Sequence, residues 1–292
     1  MAKRKNIVVT SVTQYIKDVA LSDSTRFYTR TTNYMPLFRG QANANWPIEP
    51  SVYRNSRFRH EGNYIREIER IEPDSFTGLS YIEKLMKMQH YGLPTRLIDF
   101  TTNSLVALYF ACCGEPTKDG AVFELHAFPL YRQEFVWISI VMKYIFEFSS
   151  LPFVPQVLID EIKNNLLNYP LRGVEDLHND EAIIKILTDP IGIYPKLTNQ
   201  RLRCQDGVFV LCGMKIKENT SSGIEFCEAS YLSIDDLWPE SRTIIIPAAT
   251  KEQILSELDM IGVNTRILFP ELESQIQYAI KHVNEQKIKY YI

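Results

Sequence analysis

Hydrophobic residues along the chain recur with two different periods, which predicts a mixture of helices and strands. Residues 63–73 and 81–92 carry apolar side chains at every third or fourth position, the spacing of amphipathic helices. Residues 104–113 are apolar almost all round, which is typical of a buried helix. Short runs rich in β-branched and aromatic residues predict strands at 6–12, 34–40, 120–128, 206–213 and 242–249.

The order of these elements indicates the fold class. Further helices are predicted at 136–148, at 250–263 and beyond Pro270. Helix-like segments dominate residues 131–190, which we interpret as a helical insert. Because strands and helices do not alternate as regular strand–helix–strand repeats, we expect an α+β fold. Residues 1–292 are expected to form a single mixed domain, with a central, mostly antiparallel sheet flanked by helices.

The stretch between the two helices at 81–92 and 104–113 is predicted to be a loop. Gly92 fits the position just past a helix C-terminus, and Pro94 follows as a stop. Residues 93–103 then carry several polar side chains without a clear period. Thr101, Thr102 or Asn103 is expected to cap the helix that follows.

Composition and charge narrow the class of protein. The 292 residues are 45% hydrophobic and carry a net charge of -3, as in an ordinary folded domain, so charge alone gives no argument for nucleic-acid or membrane binding. The five cysteines show no Cys-x-x-Cys spacing, and we expect them to be reduced and buried, with no metal site. No apolar run approaches the ~18 residues of a membrane span, and the N-terminus lacks a signal-peptide core. We therefore expect a cytoplasmic protein.

The first candidate site residue is Arg39, which ends an apolar run and precedes Gly40. An arginine at a strand end projects a planar fork of donors that suits phosphate or carboxylate. Gln41 follows it with a further donor and acceptor. The alternative is a surface arginine paired with a nearby acid.

A second cluster of polar residues lies in the stretch QHYGLPTRLIDFTT. Gln89, His90, Thr95, Arg96 and Asp99 together offer an amide, an imidazole, a hydroxyl, a guanidinium and a carboxylate. This set suits a nucleotide-sized ligand. Structural alternatives stay open: Gln89 and His90 as caps of the helix, Arg96 and Asp99 as a local ion pair, or Asp99 as a capping carboxylate.

A third stretch, NQRLRCQDGVFV, places Arg201, Arg203 and Gln205 before a strand. Gly207 leaves room for close backbone approach. Gln205 cannot act as a general base, because an amide does not titrate, so its role would be hydrogen bonding. The sequence contains no Gly-x-Ser-x-Gly, His-Glu-x-x-His or phosphate-binding glycine-loop motif.

These three stretches, in this order, resemble the FRG domain family, named for its Phe-Arg-Gly motif. The shared positions are Phe38-Arg39-Gly40-Gln41, residues 89–101 with the helix at 107–111, and Gln205-x-Gly207-x-Phe209. The closing stretch at 260–272 is also similar to the family. The resemblance spans residues 10–280, and the second block is its most specific part. Phe100 stands where the family often has Trp. The family implies bacterial or phage-related proteins, some with defence or toxin contexts, and does not itself supply a reaction.

The order of the blocks is also similar, more loosely, to ADP-ribosyltransferase-like NAD sites. By this resemblance Arg39 holds a pyrophosphate, His90 and Thr95 hold ribose, Asp99 orients His90 or Arg96, and Gln205 contacts the reacting ribose. NAD would then be the substrate. Because position 205 is Gln and no Glu-x-Glu pair follows, transfer chemistry would need Asp99 or another acid. The candidate catalytic residues are Arg39, His90, Asp99 and Gln205, and the candidate ligand-binding residues are Gln41, Gln89, Thr95, Arg96, Thr101 and Arg201.

Three hypotheses follow from the residues and the resemblance. In the first, the protein is a nucleotide-handling enzyme that cleaves NAD or transfers ADP-ribose to a nucleic-acid or protein acceptor. In the second, it is a non-catalytic domain that recognises a nucleotide, a nucleic-acid end or a protein motif, as the Arg201 and Arg203 pair suggests. In the third, Arg39 and Asp99 form a buried ion pair that serves only the fold.

Overall fold

The fold confirms the α+β prediction. The protein is represented by a computed structural model, which describes residues 7–20, 36–125, 130–134, 136–148, 153–155, 160, 164, 188–213, 216–220, 223–226 and 241–286. Within these residues an eight-stranded sheet is combined with helices, and a separate sheet has three strands.

The large sheet is mostly antiparallel, as predicted. Its strands are β1 (Ile7–Val8), β2 (Leu37–Gln41), β3 (Leu97–Thr101), β4 (Gly120–Leu125), β5 (Leu130–Arg132), β7 (Ile191–Tyr194), β8 (Gly207–Leu211) and β11 (Arg242–Ile246). They lie in the order β1-β11-β4-β2-β3-β8-β7-β5. Only the outer pairs, β1 with β11 and β5 with β7, are parallel. The small sheet has the order β6 (Phe153–Pro155), β10 (Gly223–Phe226), β9 (Ile216–Thr220).

Most helices agree with the periodic segments of the sequence, whereas the two short helices at 200–204 and 265–268 were not predicted. They are α1 (Val12–Ala20), α2 (Glu61–Ile71), α3 (Tyr81–His90), α4 (Ser104–Cys112), α5 (Val136–Phe148), α6 (Gln200–Cys204), α7 (Lys251–Met260), α8 (Thr265–Leu268) and α9 (Leu272–Gln286). The predicted end of α3 is confirmed, since Gly92 has a φ of 90° and its amide donates to the Gln89 carbonyl at 2.9 Å. Asn103 caps α4 by accepting from the Leu105 amide at 3.1 Å.

The prediction of a loop over residues 93–103 is wrong. Residues 97–101 form β3, which lies between β2 and β8 in the middle of the sheet. Leu97, Ile98 and Phe100 are buried, and β3 pairs with β8 from Leu97 opposite Leu211 to Thr101 opposite Gly207. Pairing on both edges stabilises a strand whose apolar residues do not alternate, so its local pattern gave no strand signal.

The predicted helical insert at 131–190 is described only in part. Helix α5 is present as predicted, whereas β5 joins the edge of the large sheet and β6 joins the small one. Most of residues 156–187, including the helix-like segments predicted there, lie outside the described residues. The single domain and its insert therefore stay predictions.

The core has two parts, and successive residues of the central strands belong to different parts. Leu37 packs in one cluster and Phe38 in the other, as Phe123 and Val122 do on the neighbouring strand. Because successive strand residues point to opposite faces, both faces of the sheet are covered. Helix α4 packs in the same cluster as Phe38. At Gly40 an added Cβ would lie 1.9 Å from the Ala107 carbonyl oxygen, so α4 touches β2 directly.

The cysteines differ from one another in exposure, and the expectation that all are buried is wrong. Cys112 and Cys212 are buried, Cys113 is exposed and Cys204 is intermediate, all four as free thiols, while Cys227 lies outside the described residues. Burial raises the pKa of Cys112 and Cys212 to about 12. Both are therefore protonated at neutral pH and poor nucleophiles. None of the described helices combines the length and apolar character needed to cross a bilayer.

Candidate functional site

A polar pocket of about 290 Å³ opens where β2, β3 and β8 meet the helices α3, α4 and α6. It brings together residues from all three stretches singled out in the sequence. The lining consists of Arg39, Gly40, Met86, Gln89, His90, Asp99, Phe100, Thr101, Val106, Phe110, Asn199, Arg201, Leu202, Gln205 and Phe209. Seven of the ten candidate site residues are among them. The adjacency of β2, β3 and β8 in the sheet places Arg39, Asp99 and Gln205 close together.

Arg39 supplies a positive charge to the lining of the pocket. One guanidinium nitrogen, Nη1, donates to the backbone carbonyl of Asp99 at 2.6 Å. The Nε atom is shielded from solvent and has no hydrogen-bond partner among the described residues. Burial lowers the pKa of Arg39, and the Asp99 carboxylate opposes this effect. Because an arginine keeps its proton in proteins, the pocket contains a cation with an unused donor.

Asp99 is exposed, and its orientation is set by a chain of side chains. The Asp99 Oδ1 atom accepts from Gln89 Nε2 at 2.9 Å. The Gln89 Oε1 atom in turn accepts a hydrogen bond from the Thr95 hydroxyl. Since the Gln89 oxygen accepts a hydrogen bond from Thr95, the NH₂ group of Gln89 must face Asp99. Gln89 therefore fixes the orientation of the Asp99 carboxylate through its Oδ1 atom, and the other lone pairs of the carboxylate are left for other donors.

Three candidate ligand-binding residues lie outside the pocket. Arg96 is 3% exposed and forms a two-point ion pair with Glu61, with Nε 3.0 Å from both carboxylate oxygens. Thr95 is fully buried and acts through Gln89. Gln41 is 5% exposed and donates to the Pro47 carbonyl at 3.4 Å. Burial keeps all three from direct ligand contact, and the proposed local pair of Arg96 with Asp99 is replaced by the pair with Glu61.

Thr101 and Gln205 are tied to each other and to the C-terminal part of the chain. The Thr101 hydroxyl donates to the Gln205 carbonyl at 2.7 Å. The Gln205 side-chain NH₂ donates to the Leu268 carbonyl at 2.9 Å. One side-chain N–H of Gln205 is thus engaged, while the residue still lines the pocket. These hydrogen bonds connect the segment just before β8 to the end of α8.

His90 and Arg201 lead to an acid that sequence reasoning missed. His90 Nε2 lies 3.8 Å and Arg201 Nη1 lies 4.0 Å from Glu271 Oε1. Arg201 also stacks over the Phe269 ring, with its guanidinium carbon 4.8 Å from the ring centroid. Glu271 lies in the stretch 260–272, which also resembles the FRG family, but it is one of 35 Asp and Glu residues and no chemical pattern around it marks it as a site residue.

These contacts exclude two structural alternatives, an ion pair of Arg39 with Asp99 and a capping role of Asp99. Arg39 binds the backbone of Asp99, and no ion pair between their side chains is present among the described residues. Asp99 does not cap α4, because Asn103 does. No group of three or more His, Cys, Asp or Glu side chains in the described part of the chain is arranged to hold a metal ion.

Comparison with known proteins supports one of the two resemblances. The model of the FRG domain matches residues 35–120, which include Arg39, Gln89, His90 and Asp99. The match does not extend to Arg201, Gln205 or Glu271. No curated protein and no solved structure matches the chain. The similarity to ADP-ribosyltransferases has no support from these comparisons and stays a prediction.

Proposed function

We propose that the pocket built on this FRG-type segment binds a nucleotide-like small molecule, and that the protein is a cytoplasmic enzyme acting on it. The reaction we propose is NAD cleavage or ADP-ribosyl transfer, with a nucleic acid or a protein as acceptor in the second case. The observation that carries the proposal is the convergence of Arg39, His90, Asp99, Arg201 and Gln205 on one pocket. A bacterial or phage-related defence or toxin role is part of the proposal and rests on the family resemblance alone.

The chemistry of the lining suits the three parts of a nucleotide. Arg39 and Arg201 offer guanidinium donors for phosphate oxygens. Phe110, Phe209 and Met86 supply apolar surface for a flat ring. The Asp99 carboxylate offers an acceptor for sugar hydroxyls. With a volume of about 290 Å³, the pocket is at the small end of ligand sites, so part of a dinucleotide would extend beyond it.

The proposed reaction requires stabilisation of a positive sugar carbon. The bond between the nicotinamide nitrogen and the ribose carbon breaks, and its electron pair leaves with nicotinamide. Water or an acceptor group then attacks the oxocarbenium carbon and loses a proton. A carboxylate held close to this carbon stabilises the positive charge. Asp99 is the candidate, because Gln89 holds it in a fixed orientation.

A second candidate function is a non-catalytic nucleotide, nucleic-acid or protein-motif sensor. The observation that favours it is that side chains of the predicted site already form hydrogen bonds within the protein. Gln89 already donates to the Asp99 carboxylate, and Gln205 donates to the Leu268 carbonyl. Because amides do not titrate, neither residue can act as a base, and the Asp99 carboxylate already accepts a hydrogen bond from Gln89. The two functions share the binding step and differ in whether product forms.

Replacing Arg39 with alanine is expected to weaken nucleotide binding at least about 10-fold, because hydrogen bonds to a charged group contribute ~1.5–3 kcal/mol. Thermal shift with NAD, ADP-ribose, ATP and a short single-stranded oligonucleotide measures the change. We expect NAD or ADP-ribose to raise the melting temperature of the wild type and not that of the variant. Product analysis of the ligand that binds separates enzyme from sensor.

Arg203→Ala is the matched control, since Arg203 lies on α6 beside Arg201, is exposed and does not line the pocket. This variant should keep the response to NAD or ADP-ribose. Equal ligand responses in wild type and Arg39→Ala would contradict the proposed site. A strongly destabilised Arg39→Ala, in a protein that responds to no ligand, would instead support a purely structural arginine.

A further inference from the structure

Arg201 is a pocket residue whose guanidinium group keeps its hydrogen-bond donors available for a ligand. Its side chain is 38% exposed and lines the pocket. None of its guanidinium nitrogens forms a hydrogen bond with a described residue, and none of them is shielded from solvent. Glu271 Oε1 lies 4.0 Å from Arg201 Nη1, which is beyond hydrogen-bonding distance. A ligand in the pocket can therefore reach these donors directly.

The face of the Arg201 guanidinium group lies against an aromatic ring. The guanidinium carbon is 4.8 Å from the ring centroid of Phe269, within the ~6 Å range of a cation–π contact. The N–H groups of a guanidinium lie in its plane, so a ring stacked on its face engages none of them. Phe269 therefore restricts the position of Arg201 without occupying a donor.

Phe269 is itself held in a defined position. Its ring meets the ring of Phe110 edge to face, with the centroids 5.9 Å apart, and Phe110 belongs to α4 and lines the pocket. Its amide donates to the Thr265 carbonyl at 3.0 Å, and its carbonyl accepts from Gln275 Nε2 at 2.7 Å. Phe269 does not line the pocket, so it can affect a ligand only through the residues that do.

We propose that Phe269 is a positioning residue that holds Arg201 where it donates hydrogen bonds to a phosphate group of the ligand. This inference rests on the proposed function and adds a residue outside the segment 35–120 that matches the FRG domain. A long side chain that moves freely loses rotamer entropy when a ligand immobilises it. Because Phe269 restricts Arg201 before the ligand binds, this loss is smaller and the affinity for an anionic ligand is higher.

The test is a double-mutant cycle on the full chain with ADP-ribose as the probe. The proteins are the wild type, Phe269→Leu, Arg201→Met and the variant that carries both substitutions. Leucine keeps an apolar side chain at position 269 and removes the aromatic face, whereas methionine keeps an apolar stem at position 201 and removes the charge. Isothermal titration calorimetry gives the dissociation constants.

Two further variants separate positioning from packing. Phe269→Tyr restores the aromatic face and should rescue binding to within about twofold of the wild type. Phe58→Leu is the matched control, because Phe58 also lies under an arginine, with the Arg59 guanidinium carbon 5.8 Å from its ring centroid, and does not line the pocket. This control should leave the dissociation constant unchanged.

Arg201→Met is expected to weaken ADP-ribose binding about 10-fold, and Phe269→Leu about 3- to 10-fold. In the Arg201→Met background, Phe269→Leu should weaken binding less than about twofold further, because no guanidinium is left to position. A packing role for Phe269 would weaken binding equally with and without Arg201. That result, or wild-type affinity in either single variant, would overturn the inference while ligand binding stands. Failure of ADP-ribose to bind the wild type would overturn the proposed function and the inference with it.

Discussion

Replacing Arg96 with alanine is expected to lower the free energy of unfolding by about 3–5 kcal/mol, because it leaves a buried carboxylate without its partner. Arg96 and Glu61 are 3% and 1% exposed, and the guanidinium contacts both carboxylate oxygens of Glu61. The pair joins the start of α2 to the chain just before β3. Urea unfolding, followed by far-ultraviolet circular dichroism, measures the change.

Two further variants separate the buried charge from other effects of the substitution. Arg96→Met combined with Glu61→Leu removes both charges and is expected to recover much of the lost stability, since apolar residues of similar volume replace buried pairs at little cost. Arg70→Ala breaks the pair with Glu67, whose side chains are 70% and 57% exposed, and should cause no measurable change. A loss in Arg96→Ala no larger than that in Arg70→Ala would show that the buried pair contributes little.

The Arg96 pair also shows where sequence reasoning reached its limit. The sequence predicts that polar residues in the stretch 89–99 belong to one site, and six of the residues that line the pocket come from residues 86–101. Which of them face the pocket depends on β3 being a strand, because neighbouring strand residues point in opposite directions. A loop over residues 93–103 gives Arg96 and Asp99 no reason to differ in exposure. In the structure Arg96 is buried and Asp99 is exposed.

Helices were more predictable than strands in this chain, for a physical reason. Helix α3 carries its own information: apolar positions at a helical period, and Gly92 and Pro94 beyond its end. Strand β3 receives its stability from β2 and β8, which are distant in sequence. Glu271 is a further example, because its contacts with His90 and Arg201 are formed only in the tertiary structure.

Replacing Gly40 with alanine is expected to destabilise the protein by about 3 kcal/mol, the upper part of the range for overpacked cores. The new Cβ would lie 1.9 Å from the Ala107 carbonyl oxygen and 2.7 Å from the Ala111 amide nitrogen. Non-bonded heavy atoms pack best at ~3.5 Å or more. Both atoms belong to the backbone of α4, so no side-chain rotation relieves the clash. Helix α4 must therefore move away from β2.

Gly207→Ala provides the comparison that isolates this effect. There the nearest atom to the new Cβ is Leu202 Cδ1 at 2.4 Å, the end of a side chain that can rotate. We expect a loss of about 1 kcal/mol in this variant, measured by the same urea unfolding as for Gly40→Ala. Since Val106 and Phe110 of α4 line the pocket, Gly40→Ala should also weaken any ligand that stabilises the wild type. Similar losses of stability in the two variants would mean that α4 can shift as easily as a leucine side chain, and that the direct contact of α4 with β2 does not set the shape of the pocket.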